Sequence, residues 1–83
     1  MKYSISWTEN SHKELERLPI LVQRAIVKKV DEAAASPAHY FTKLVGREEY
    51  KLRVGDYRVL ADIQQGKLII LVLEVGHRKN VYD

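Results

Sequence analysis

The stretch Tyr50-Lys51-Leu52-Arg53-Val54-Gly55-Asp56-Tyr57-Arg58-Val59-Leu60 decides the architecture. Tyr50, Leu52 and Val54 alternate with Lys51 and Arg53, so a strand here buries the first set and turns both cations to its other face. Gly55-Asp56, lying between two alternating runs, reads as a two-residue hairpin turn. In the return strand, Tyr57, Val59, Ala61 and Ile63 alternate with Arg58, Leu60 and Asp62.

Beyond the hairpin, a Gln64-Gln65-Gly66-Lys67 turn leads into Leu68 to Val75. That run is apolar on both faces, the pattern of a central strand. Gly76 then releases the chain into His77-Arg78-Lys79-Asn80-Val81-Tyr82-Asp83.

Before the hairpin, Tyr3, Ile5 and Trp7 alternate with Ser4 and Ser6, which predicts a half-buried first strand. A helix follows to about Leu18. Ser11 with Glu14 fits a capping box, and Thr8 or Asn10 are alternative caps. Pro19 breaks this helix and opens the next, where its missing N–H costs nothing. In the second helix, about Ile20 to Ala35, Val22, Ile26, Val30 and Ala33 form one apolar stripe. Ser36-Pro37 ends it. His39 to Glu48 reads as irregular, with room for a short helical turn, with Leu44 and Val45 as anchors and Gly46 as a turn residue. Tyr40 and Phe41 fit equally as core anchors or as exposed contacts, whereas His12 and His39 read as surface residues.

The expected fold is therefore α+β, a single domain over residues 1–83. An N-terminal strand and a helical hairpin precede an antiparallel three-stranded meander, giving a four-stranded sheet with helices on one face. The first strand belongs at an edge or beside the apolar central strand.

Composition narrows the function. The 83 residues carry 14 basic and 11 acidic side chains, a net charge of +3, which points only weakly to an anionic partner. The absence of Cys removes disulfides and thiolate metal sites and suits a reducing compartment. The longest apolar run, Leu68 to Leu73, is far shorter than the roughly 20 residues that span a bilayer. The N-terminus alternates instead of forming a signal-peptide core. The expectation is a cytoplasmic protein without membrane contact.

Placement says more than net charge. Lys51 and Arg53 share a sheet face, Arg58 lies across the hairpin, and Arg78 follows the central strand. Alternating cations fit an ordinary solvated face. Three of these four are arginines, however, whose planar fork suits phosphate. No HExxH, Walker-type or GxGxxG motif accompanies them, and no residue group suggests a metal or another cofactor.

Such a surface can hold an RNA backbone and favour attack of a 2′-hydroxyl on the adjacent phosphorus. That reaction needs in-line alignment, charge stabilisation on the phosphorane oxygens, a base and an acid. Arg58 and Arg78 suit the charge. Tyr82 or His77 can handle a proton, and a lysine base would need its pKa depressed by neighbouring cations.

The hairpin quoted above, with Val75-Gly76-His77-Arg78-Lys79-Asn80-Val81-Tyr82, resembles the RelE branch of the RelE/ParE toxin superfamily. Trp7-Thr8 and the Leu18-Pro19 junction fit the same pattern, so the resemblance covers nearly the whole chain. It implies a toxin of a type II toxin–antitoxin pair, an endoribonuclease that cleaves mRNA in the ribosomal A site without a metal and stops translation. Lys51 and Arg53 match the family's basic pair, Arg58 the third-strand arginine, Arg78 the arginine after the fourth strand, and Tyr82 the C-terminal tyrosine. The implied phosphate-binding set is Lys51, Arg53, Arg58, Arg78 and Lys79, with Arg58 and Arg78 at the scissile phosphate. Implied partners are an acidic, partly disordered antitoxin and the ribosome, with operator DNA reached only through the antitoxin.

Two departures bear on mechanism. The second basic position is lysine in the best-known bacterial form, whereas Arg53 stays protonated near neutrality. This moves a general-base role toward Lys51 or His77. With Asp83 as the last residue, the expectation is a form without the extra C-terminal helix of some bacterial members, resembling the shorter archaeal toxins. The alternatives within the fold are a ParE-like gyrase inhibitor and a binding module that has lost activity.

Overall fold

The structure, a computed structural model, describes residues 2–77. Its elements run β1 (Ser4–Trp7), α1 (Glu9–Glu16), α2 (Ile20–Ala33), α3 (Pro37–Tyr40), β2 (Thr42–Lys43), β3 (Tyr50–Val54), β4 (Tyr57–Gln64) and β5 (Ile69–His77). The strands form one sheet in the order β1-β5-β4-β3-β2. The meander is antiparallel, as its patterning predicts. β1 satisfies both expectations for it, lying at the sheet edge and running parallel beside β5, with Ser4 opposite Ile69 and Trp7 opposite Val72.

The expected sheet gains a fifth strand, β2, which pairs antiparallel with the start of β3. Its two residues are too few to display a period. A short helical turn does form, as α3, but it starts at Pro37 and overlaps the stretch where one was expected only at His39 and Tyr40.

α1 begins one residue after Thr8, whose hydroxyl accepts the Ser11 N–H at 3.1 Å. Thr8 is therefore the cap, and the Ser11–Glu14 capping box does not form. Ser11 lies fully buried inside the helix, and Glu14 turns to another partner described below. α2 starts after Pro19, whose carbonyl accepts from Val22 and Gln23. The Gln23 side chain in turn donates to the carbonyls of Glu16 and Leu18 at 3.3 and 2.8 Å, which ties the end of α1 to the start of α2.

The core lies between the helices and one sheet face. Ile26, Val30 and Ala33 of α2 and Leu15 of α1 meet Leu52, Val59, Ala61, Ile70, Val72 and Val75. Val22, Trp7, Tyr50, Val54 and Tyr57 pack around them, half-buried. Of the paired alternatives at 40 and 41, Phe41 is buried in this core and Tyr40 is exposed, with the Lys29 ammonium 5.9 Å from its ring centre. Leu44 is an anchor, but Val45 is not: it is 95% exposed at the loop tip. It precedes Gly46, whose φ of +72° turns the chain away from the sheet.

Candidate nucleic-acid interface

Strand phase gathers three of the expected cations. Lys51 stands opposite Leu60, and Arg53 directly opposite Arg58, in the β3–β4 ladder. All four leave the sheet on the side away from the helices, because Leu52 and Val59 between them enter the core. Gly55, with φ +59°, makes the tight turn that holds this register.

The two arginines differ in setting. Arg53 is exposed, and its Nε donates to the Gly55 carbonyl at 3.2 Å, at the hairpin end. Arg58 is only 5% exposed although it lies on the face without helices. Its neighbour on β5 is Gly76, which has no side chain to cover it. Water is largely excluded from such a guanidinium, so an anion reaching it meets less screening than it would at Arg53.

The floor beside the cations is apolar. Leu60 is buried beneath Leu44, a small cluster on the open face separate from the main core. The segment carrying Leu44 folds back through a bond from its N–H to the Glu49 carbonyl at 3.0 Å. Arg47 braces the same loop, donating from Nε to Glu49 Oε1 at 2.8 Å. That hydrogen bond, aided by a backbone hydrogen bond and by the charge of Arg47, holds the Glu49 carboxyl below its usual range. Asp62, in the same strand phase as Arg58, accepts from Gln64 Nε2 at 3.1 Å. Glu74, opposite Leu60, is an acid that shares the open face.

His77 does not join this face. It stands opposite Tyr57, with ring centres 5.5 Å apart in an edge-to-face contact, and Tyr57 packs on the helix side of the sheet. The cause is an irregularity between β4 and β5. Leu60 pairs with Glu74 and Ala61 with Val72, so Leu73 is an extra residue. Val72 and Val75, three apart, therefore both reach the core, and every residue after Leu73 exchanges faces. Arg78, Lys79 and Tyr82 lie outside the described residues.

Sequence reasoning did not single out Gly76 as Arg58's neighbour, or Leu44 and Leu60 as the floor. No local signal pointed to Gly76, because Leu68 to Val75 reads as apolar on both faces and so hides the extra residue at Leu73.

The opposite side of the molecule carries a different feature. A groove of 470 Å³ runs between β1 and α2, lined by Ile5, Trp7, Ile20, Val27 and Val30, with Arg24 and Lys28 among its polar residues. Ile20 and Val27 remain exposed there, and Leu21 lies just beyond.

Comparison with known proteins agrees with this architecture. Residues 5–82 match the family model described as the ParE toxin of the type II toxin–antitoxin system parDE. The mRNA interferase toxin RelE of Escherichia coli K12 is 30% identical over 82 residues, spanning 95% of this chain and 86% of the relative. Among solved structures, the toxin–antitoxin complex RelBE2 of Mycobacterium tuberculosis superposes with a TM-score of 0.87 at 23% identity, covering 94% of this chain and all of that one. The intact RelBE toxin–antitoxin complex of E. coli superposes at 0.76 with 30% identity, covering 90% and 95%. With its family match over nearly the whole chain and its RelE relatives, this protein belongs to the RelE/ParE superfamily of type II toxins, in the RelE branch.

Proposed function

We propose that this toxin is a metal-independent endoribonuclease that cleaves mRNA in the ribosomal A site and so stops translation. The observation that carries the reading is the pairing of exposed Arg53 with buried Arg58 on an otherwise open sheet face, next to Lys51. Like charges directly opposite in a ladder are unfavourable by a few tenths of a kcal/mol to about 1 kcal/mol. A polyanion removes that cost, and an RNA backbone presents phosphates at a spacing two neighbouring forks can grip.

In this reading Arg53 and Lys51 bind flanking phosphates, and Arg58 meets the scissile one, where charge grows on the phosphorane oxygens. Arg78, one residue beyond β5, is the second charge-stabilising group. Lys51 is the described candidate for accepting the 2′-hydroxyl proton, since Arg53 holds its own. Tyr82 is assigned either to stacking on a base or to protonating the departing 5′-oxygen. His77, whose ring turns toward Tyr57, is assigned to the strand end instead of the proton relay.

The partner we infer is a cognate antitoxin, by analogy with the E. coli toxin solved with its own. The β1–α2 groove suits an amphipathic segment of it, with apolar side chains against Ile20 and Val27 and carboxylates toward Arg24 and Lys28.

The test is to express the chain briefly and map mRNA ends on translating ribosomes. Cuts at A-site codons that vanish in Arg58→Ala and Arg78→Ala support the reading. Growth arrest with intact mRNA and inhibited gyrase would instead support a ParE-like activity.

A further inference from the structure

β1 pairs with β5 only as far as Trp7 and Val72. Beyond that point, the side of β5 that faced β1 would expose its backbone groups. The start of α1 takes over the ladder. Thr8 donates from its backbone N–H to the Val72 carbonyl at 3.0 Å, and its hydroxyl lies 3.4 Å from the Leu73 carbonyl. Asn10 donates from Nδ2 to that same Leu73 carbonyl at 3.3 Å. Glu14, one helical turn on, accepts the Val75 N–H on Oε1 at 2.9 Å. The two side chains also touch, with Asn10 Nδ2 3.4 Å from Glu14 Oε1. These bonds bracket Leu73, the extra residue of the bulge.

We propose that Asn10 and Glu14 form a clamp on this bulge, and that Glu14 is thereby a positioning residue for the RNA-cleaving face. The inference rests on the functional reading above for its catalytic consequence, but not for its structural one. If the bulge slipped out, every later residue of β5 would move one place along β4. Val75 would then stand opposite Arg58 in place of Gly76, with its isopropyl group over the guanidinium. Glu74 would stand opposite Val59 and enter the core side. The clamp keeps the side-chain-free residue beside the buried arginine and sets the phase of β5 from Glu74 to His77.

The experiment compares wild type with Glu14→Leu, which removes the acceptor, and Glu14→Gln, which keeps an oxygen there. Amide hydrogen exchange at Val75 and the proton contact between the His77 and Tyr57 rings are followed by NMR. kcat and KM are measured for A-site cleavage on programmed ribosomes, and Tm is recorded for each variant. In Glu14→Leu, Val75 exchange should accelerate at least about 10-fold relative to Val59, and the ring contact should weaken. kcat should fall about 10- to 100-fold with KM changed less than about 3-fold, since displacement of a catalytic group acts on the chemical step. Glu14→Gln should stay within about 3-fold of wild type in both.

The proposal is overturned if Glu14→Leu keeps Val75 protected and the rings in contact, because apolar patterning alone then fixes the bulge. A lower Tm with unchanged kcat in the folded fraction overturns the positioning role, and so does a Glu14→Gln as impaired as Glu14→Leu. If wild type fails to cut ribosome-bound mRNA, the functional reading fails, while exchange and ring contact still decide the clamp.

Discussion

Arg53 and Arg58 face each other across the β3–β4 ladder, one exposed and the other almost completely enclosed. A ladder position that opposes two cations is poor design for stability and good design for gripping a polyanion. The first prediction follows from that conflict. Arg53→Thr, which suits a strand, should leave unfolding free energy unchanged or raise it by up to about 1 kcal/mol in urea titration. The same variant should lower A-site cleavage. Stability lost together with activity would mean that the pair is structural.

Arg58 should not be replaceable by lysine. Arg58→Lys retains the charge but loses the planar fork in a place with little water to fill the gap. The expected outcome is a fall in kcat of about 10²-fold or more, comparable to losing a donor to a developing oxyanion, with ribosome association nearly unchanged. Single-turnover cleavage with saturating ribosomes separates the two.

The Arg47–Glu49 brace gives a pH signature. Folding lowers the Glu49 pKa from its usual 4.5, so its contribution to stability is complete above that value. It is lost as pH falls through the lower, folded value. Arg47→Met should raise the Glu49 pKa, read directly by NMR titration of its side-chain carboxyl, and flatten that part of the acid limb. An unchanged Glu49 titration in Arg47→Met would exclude the brace as its cause.

Partner binding should separate from cleavage. Val27→Asp places a carboxylate in the β1–α2 groove, on the far side of the sheet from Arg58. Antitoxin affinity, measured by calorimetry with the cognate protein, should weaken at least about 100-fold, since a buried unpaired charge costs several kcal/mol. Cleavage by the free toxin should persist. Unaltered affinity would move the docking site elsewhere.

The core prediction is the plainest. Ile26 is fully buried at the centre of α2, so Ile26→Ala should cost about 2–5 kcal/mol, a large share of what a domain of this size has. Denaturant midpoints should shift with the slope unchanged.

Much of this was legible in the residues. Alternation fixed β1, β3 and β4, and the doubly apolar run marked β5 as central, because short-range periodicity records which face is buried. Phase alone put Lys51, Arg53 and Arg58 together. What escaped was anything set by a single residue against a distant one. Glu14 looked like the acid of a capping box, yet its partner is the Val75 N–H, 61 positions away. Leu73 gave no local sign of being an extra residue, and so the turning of His77 toward Tyr57 was hidden. β2 was too short to show a pattern. Val45 looked like an anchor beside Leu44, but the chain turns at Val45 and Gly46 and leaves its side chain in solvent.

The parallel contact of Ser4–Trp7 with Ile69–Val72 has a kinetic consequence. The first strand made has no partner until the last strand exists, so the native sheet cannot close around any chain that stops short of β5. Pairings of such long sequence separation form late and slowly. A truncated product would lose the inner neighbour of β1 and the glycine beside Arg58 together. Interrupted synthesis of this toxin should therefore leave fragments with neither the fold nor the site, a built-in safeguard for the cell that makes it.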